Sequence, residues 1–115
     1  MQTGNERLKW IIPETYGIPP TPRYMHSINF MPKSNMIVVF GGRNDSLYKS
    51  SGKCFLNDVC LLSLDSLTWV TIQTFGDIPS PRCFHAAEVL ENSLIIMGGI
   101  GTEVINSKLY ILEIN

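Results

Sequence analysis

The residues best suited to chemistry in this chain are two histidines, His26 and His85, and three cysteines, Cys54, Cys60 and Cys83. An imidazole can act as a general base or bind a metal, and a thiolate can be a nucleophile or a zinc ligand. The spacings argue against both. The cysteines lie six and 23 residues apart, which fits no zinc pattern, and three cannot all pair. Cys60 falls in an apolar run, where a free thiol behaves as a small hydrophobe and suggests a reducing, intracellular setting. Each histidine instead closes the same phrase, Pro22-Arg23-Tyr24-Met25-His26 and Pro81-Arg82-Cys83-Phe84-His85, with no Cys-Cys-His cluster or second carboxylate beside it. A residue repeated in each unit is expected to do repeated structural work, here a hydrogen bond to a buried backbone group. No catalytic residue, metal site or cofactor is assigned, and the chain is expected not to be an enzyme.

Other polar motifs read the same way. Arg23 and Arg82 each follow a proline, and a guanidinium fork there is expected to tie one loop to neighbouring carbonyls rather than to hold a ligand. The glycine pairs Gly41-Gly42 and Gly98-Gly99 resemble phosphate loops only superficially, since neither is followed by Gly-Lys-Ser/Thr or by a helix. Asn44-Asp45-Ser46 fits a glycosylation acceptor, but so short a motif is frequent by chance.

The elements that must position these residues are written twice. Trp10, Gly17, Pro20, Pro22, Arg23 and His26 are matched by Trp69, Gly76, Pro79, Pro81, Arg82 and His85, each pair 59 residues apart. An apolar run precedes each glycine pair, residues 36–40 and residues 94–97. Recurrence at one offset means repeat architecture. Alternation over residues 24–30 predicts a strand A, and residues 36–40 a fully apolar strand B. A polar segment over 43–55 leads to strand C at 59–64, a tight turn at Asp65-Ser66, and strand D at 69–74. The second unit predicts A at 84–90, B at 93–97, a shorter loop over 100–106, and C at 109–114. Residues 7–12 carry the tryptophan of a D strand with no A, B or C before it. The order is therefore D, A-B-C-D, A-B-C.

Strands B are apolar on both sides, so each sheet is expected to lie between two others, as blades do in a propeller. Trp10 and Trp69 are expected to wedge between them. A sheet with one neighbour leaves an apolar face in water. The chain is therefore expected to need further blades, from flanking sequence or from another chain. Composition is consistent with covered sheets: 115 residues, 44% hydrophobic and only 17% charged. A net charge of −1 leaves no electrostatic footprint for nucleic acid or anionic lipid. No apolar stretch reaches the ~20 residues that cross a bilayer, and the first residues lack the apolar core of a signal peptide. A cytoplasmic location is expected, with cytoskeletal association as an option.

Across nearly its whole length the chain resembles kelch repeats, on Pro22-Arg23-Tyr24-Met25-His26, Gly41-Gly42, Asn57-Asp58-Val59, Asp65 and Trp69. The second copy carries Pro81-Arg82-Cys83-Phe84-His85, Gly98-Gly99 and Lys108-Leu109-Tyr110, with Ser107-Lys108 replacing the Asn-Asp pair. The resemblance implies four-stranded antiparallel blades and, for the parent molecule, a ring used as a protein-binding surface. The fold expected is an all-β, partial kelch-type propeller: a stray outer strand at 7–12, one blade over 20–74, and a second over 79–115 without its fourth strand. The B-to-C and D-to-A connections then emerge on one face. The loop between Gly42 and Asn57 holds 14 residues against seven between Gly99 and Ser107, so the repeat does not require its contents. Arg43, Asn44, Asp45, Tyr48, Lys49 and Lys53 lie there, with Asp77, Glu103 and Ile100 on the same face. Tyrosine and arginine are enriched at interface hot spots; the alternative is a solvated insertion. The function expected is a non-catalytic protein-interaction module. The alternative is a structural piece completing a propeller within a cytoskeletal or ciliary assembly, and a less favoured third is part of a propeller enzyme similar to galactose oxidase.

Overall fold

The computed structural model describes residues 7–51 and 53–114, with side chains omitted for residues 49–51. The order is β1 (Tyr16–Gly17), β2 (Ser27–Met31), β3 (Met36–Arg43), α1 (Ser46–Ser51), β4 (Phe55–Ser63), β5 (Thr68–Ile72), β6 (Ala86–Leu90), β7 (Ser93–Met97) and β8 (Leu109–Glu113). The strands form two sheets, one ordered β1-β5-β4-β3-β2 and the other β6-β7-β8. Strands β2 to β5 are the expected A, B, C and D, antiparallel throughout, and β6 to β8 repeat the first three.

The period-2 side-chain rule sorts each sheet into two faces. Met31, Val38, Phe40 and Val59 turn from the first sheet toward Leu94 and Ile96 of the second, and together they form the buried core. Full burial of an aliphatic side chain of this size stabilises by about 1.5–3 kcal/mol, so this interface holds the two sheets together. Strand β3 is buried on both sides, because Val39 is covered as well as Val38 and Phe40. Strand β7 is not: Leu94 and Ile96 are buried, but its outer flank ends in exposed Met97. Leu90, Leu109 and Ile111 extend that open apolar face, and Ile28 and Phe30 stand exposed on the far face of the first sheet.

Three features depart from expectation. The polar segment after β3 contains a helix, α1, started by Asn44, whose Oδ1 accepts the Ser46 amide at 3.0 Å; six residues are too short to show a helical period. The outer strand expected over 7–12 has no strand partner, and Trp10, expected to wedge between sheets, is 99% exposed. A D strand is held by the C strand of its own sheet, and among the described residues none pairs with 7–12. Instead Tyr16 and Gly17 run parallel to β5, opposite Thr68 and Trp69.

Candidate protein-binding face

The connections β3–β4, β5–β6 and β7–β8 meet at one end of the sheets, and backbone hydrogen bonds lace them together. The amide of Gly42 donates to Arg82 O at 2.9 Å, and the amide of Arg82 donates to Leu56 O at 3.0 Å. Asn57 Nδ2 donates to Pro79 O at 3.1 Å. On the other side Cys83 and Ile100 exchange two bonds of 2.9 Å. The β5–β6 connection is thus clamped between the other two. Gly41 permits the approach: its φ is +68°, and a Cβ there would stand 2.9 Å from both Arg82 O and His85 Cε1.

The two arginines brace this end in different ways. Arg23 forms a bidentate pair with Asp58, Nη1 to Oδ1 at 2.7 Å and Nη2 to Oδ2 at 2.9 Å, and Nη1 also donates to Gly41 O at 3.0 Å. Burial pushes the Asp58 carboxyl up, but hydrogen bonds and charge from Arg23 outweigh that and hold it below its ordinary value. Arg82 is more deeply buried, at 2% exposure, yet makes no ion pair among the described residues. It donates to Ser80 O and Gly98 O at 3.0 and 3.1 Å and lies 5.1 Å from the centre of the Tyr110 ring. Lys108 stands where the first unit has Asp58, so a cation–π contact replaces the carboxylate. Tyr110 was not legible as a partner in the sequence; the signal was the missing acid at 108.

His85 crosses between the sheets. Its Nε2 bonds Ser27 Oγ at 2.9 Å, a side chain rather than the expected backbone group, while Ser27 Oγ donates onward to Phe40 O at 3.3 Å. The ring also meets Phe40 edge to face at 5.2 Å. Burial, then the charges of Arg82 and His26, push its pKa down to about 4. His26 itself is exposed. Burial likewise pushes the thiols of Cys60 and Cys83 up, which suits inert core residues. Among the described residues no group of three His, Cys, Asp or Glu side chains could hold a metal ion.

The inserted β3–β4 loop presents a compact polar cluster. Arg43 Nε donates to Asp45 Oδ1 at 2.6 Å, and Tyr24 Oη donates to Asp45 Oδ2 at 2.7 Å. The Tyr24 bond, then the Arg43 bond, holds the Asp45 carboxyl below the usual carboxylate range. The Arg43 guanidinium also lies 5.3 Å from the Phe55 ring centre. Tyr24 and Phe55 therefore join Arg43 and Asp45, the two of the six loop candidates expected from sequence that meet in this cluster. Asn44 faces inward, its Nδ2 donating to Pro22 O at 2.7 Å. Tyr48 on α1 and Lys53 are exposed, and the side chain of Lys49 lies outside the described residues. Asp77 and Glu103 are exposed in the other two loops, lining separate clefts rather than the Arg43 cluster.

Two sheets, antiparallel apart from the short β1–β5 pairing and joined by Pro-Arg-x-x-His and Gly-Gly contacts at equivalent places, match a known repeat. Residues 3–115 match the family model for the KLHDC2/KLHL20/DRC7 Kelch-repeats domain. The chain belongs to the kelch-repeat family. It is a β-propeller segment, and its similar proteins are larger. Host cell factor of Drosophila melanogaster is 40% identical over 101 residues, covering 87% of this kelch segment and 6% of that protein. Acyl-CoA-binding domain-containing protein 5 of Arabidopsis thaliana is 37% identical, over 91% of the segment and 15% of that protein. Dynein regulatory complex subunit 7 of Chlamydomonas reinhardtii is 35% identical, over 82% of the segment and 8% of that protein. The kelch segment therefore spans a small fraction of the curated relatives it matches. No helix among its described residues is long and apolar enough to cross a membrane.

Proposed function

We propose that this kelch segment is a non-catalytic module that binds a protein through the end of the sheets carrying the β3–β4, β5–β6 and β7–β8 loops. The observation that supports this reading is the Tyr24–Arg43–Asp45 cluster with α1 beside it. Arg43 and Asp45 stand at the start of an insertion the second repeat lacks, and Tyr24 reaches them from the segment before β2, over loops held by backbone hydrogen bonds. Binding residues concentrate on loops held by a rigid scaffold. An arginine already oriented by a carboxylate loses little freedom on meeting an acidic or carbonyl-rich partner. The contact surface is assigned to Arg43, Asp45, Tyr48, Lys49 and Lys53, with Asp77 and Glu103 at its margins and Asn44 as the loop's internal brace.

The test is quantitative affinity capture from cells with the wild-type protein and with Arg43→Ala/Tyr48→Ala. Partners held through this loop should be retained by the first and lost by about 30-fold or more from the second, the loss of a hot-spot pair. Equal recovery of every captured protein overturns the site assignment. A second reading, a packing piece within a larger assembly, draws on the open apolar faces of both sheets. A location in the cytoplasm or on the cytoskeleton accords with either reading.

A further inference from the structure

We infer that the cleft between the β5–β6 and β7–β8 connections is a carboxylate seat, in which an aspartate or glutamate side chain of a protein partner pairs with Arg82. This rests on the reading of that end of the sheets as a protein-binding face, and names what the partner presents there. The inference follows from the two arginines of the repeat, compared bond by bond.

A guanidinium carries five N–H donors in a fixed plane. Arg23 places all of them. Nε and Nη2 donate to O and Oγ1 of Thr21, Nη1 donates to Gly41 O, and the other N–H on each Nη takes Asp58 bidentately. Arg82 repeats the first three bonds on the equivalent atoms. Its Nε and Nη2 donate to O and Oγ of Ser80 at 3.0 and 3.2 Å, and its Nη1 donates to Gly98 O at 3.1 Å. Ser80 is the mate of Thr21 at the 59-residue offset, and Gly98 opens the second glycine pair as Gly41 opens the first. The N–H groups left over are the pair that in Arg23 meets the acid. The same fork is held in the same way, without its carboxylate.

Among the described residues no side chain takes that place. Position 108 holds a lysine where the first unit has Asp58, so the position that supplies an anion once supplies a second cation here. The Tyr110 ring, 5.1 Å from the guanidinium, offsets the charge in part but offers no oxygen acceptor. Arg82 is nonetheless 2% exposed, and a buried cation without a counter-charge is destabilising. The space beside it is open. A cleft of about 540 Å³ is lined by Arg82 together with Ser80, Glu103, Asn106 and Tyr110. A planar fork with one N–H free on each Nη matches the two oxygens of a carboxylate. Glu103, the acid on the cleft wall, is exposed and makes no ion pair among the described residues. The seat therefore faces outward, toward a carboxylate that arrives from a partner.

The test is an NMR titration of the whole chain with a blocked tripeptide, acetyl-Gly-Glu-Gly-amide, read at Arg82 Nε and at residues 103–106. The glutamate peptide should shift these signals at millimolar concentration, and its glutamine counterpart should bind about tenfold or more weakly, having lost the charge-assisted bidentate pair. Lys108→Asp restores the acid from within, so it should raise Tm and weaken the glutamate peptide by about tenfold or more, whereas Lys108→Asn should still bind within about threefold of wild type. Acetate should bind more weakly than the peptide; equal binding would assign the seat to a small free carboxylate and overturn the partner. No shift at Arg82, or a Lys108→Asp chain that binds as well as wild type, overturns the inference. Binding that appears only in Glu103→Gln means that Glu103 occupies the seat itself, and overturns it too. The tripeptide reaches only this cleft, so a failure here leaves the Arg43 loop assignment standing, and partner retention by Arg43→Ala/Tyr48→Ala leaves the seat standing.

Discussion

Replacing Asp58 by Asn leaves the nearly buried Arg23 guanidinium without its counter-charge while keeping the shape of the site. The Arg23 side chain is 3% exposed and that of Asp58 is 37% exposed, joined by two bonds of 2.7 and 2.9 Å. Breaking a fully buried pair by removing one partner costs about 3–5 kcal/mol, and exposed pairs contribute about 0–1 kcal/mol. Arg23 keeps its bonds to Gly41 O and Thr21 O, so the expected loss lies between these limits, about 2–3 kcal/mol. For a chain of this size each kcal/mol moves Tm by about 4 °C, so scanning calorimetry should show a fall of about 8–12 °C at neutral pH. The sign of the pH dependence follows from the lowered carboxyl of Asp58. The unfolded chain takes up the proton first, so the pair contributes fully above about pH 4 and its contribution fades as pH falls further. The Tm values of wild type and Asp58→Asn should therefore converge on acidification. A shift smaller than about 2 °C at neutral pH, or a gap that acid does not close, would refute the reasoning.

Two further outcomes are expected. Gly41→Ala forces a side chain at φ +68° and brings Cβ to 2.9 Å from Arg82 O, so urea unfolding should show a loss of about 2–3 kcal/mol, and a loss well below 1 kcal/mol would mean that the loop yields freely. His85 titrates near 4 in the folded chain against about 6.5 when unfolded, so stability should be full above that value and decline as pH drops from there toward 4. Allowing for screening at a half-exposed ring, the decline is roughly 1–2 kcal/mol. His85→Gln should flatten the profile of the urea midpoint between neutral and mildly acidic pH, and identical profiles would mean that the folded ring takes up its proton freely.

Much of the scaffold was legible because it rests on local rules. Alternation and apolar runs placed β2 to β8 within a few residues, and the glycine pairs marked where backbones approach, since only glycine takes φ of +68° beside a neighbouring carbonyl without strain. The polar site was legible only in part. The loop insertion singled out Arg43 and Asp45 among six residues, but Tyr24 fell in the stretch that alternation treats as strand A and Phe55 in the polar segment as an unremarked residue, and their contacts with the cluster are tertiary. Helix α1 was missed because six residues, with Leu47 as their one aliphatic side chain, carry no amphipathic period.

The sequence by itself determined the repeat, the A-B-C-D strand order and the type of residue at each shared position, because side-chain period and glycine stereochemistry act within a few residues. Only the tertiary structure decided that Arg23 meets a carboxylate while Arg82 meets an aromatic ring, and that His85 reaches Ser27 of the other sheet. It also decided that Trp10 stands in solvent while its repeat mate Trp69 lies in a sheet. Those outcomes depend on which strand lies alongside, and a one-dimensional pattern does not carry its neighbours.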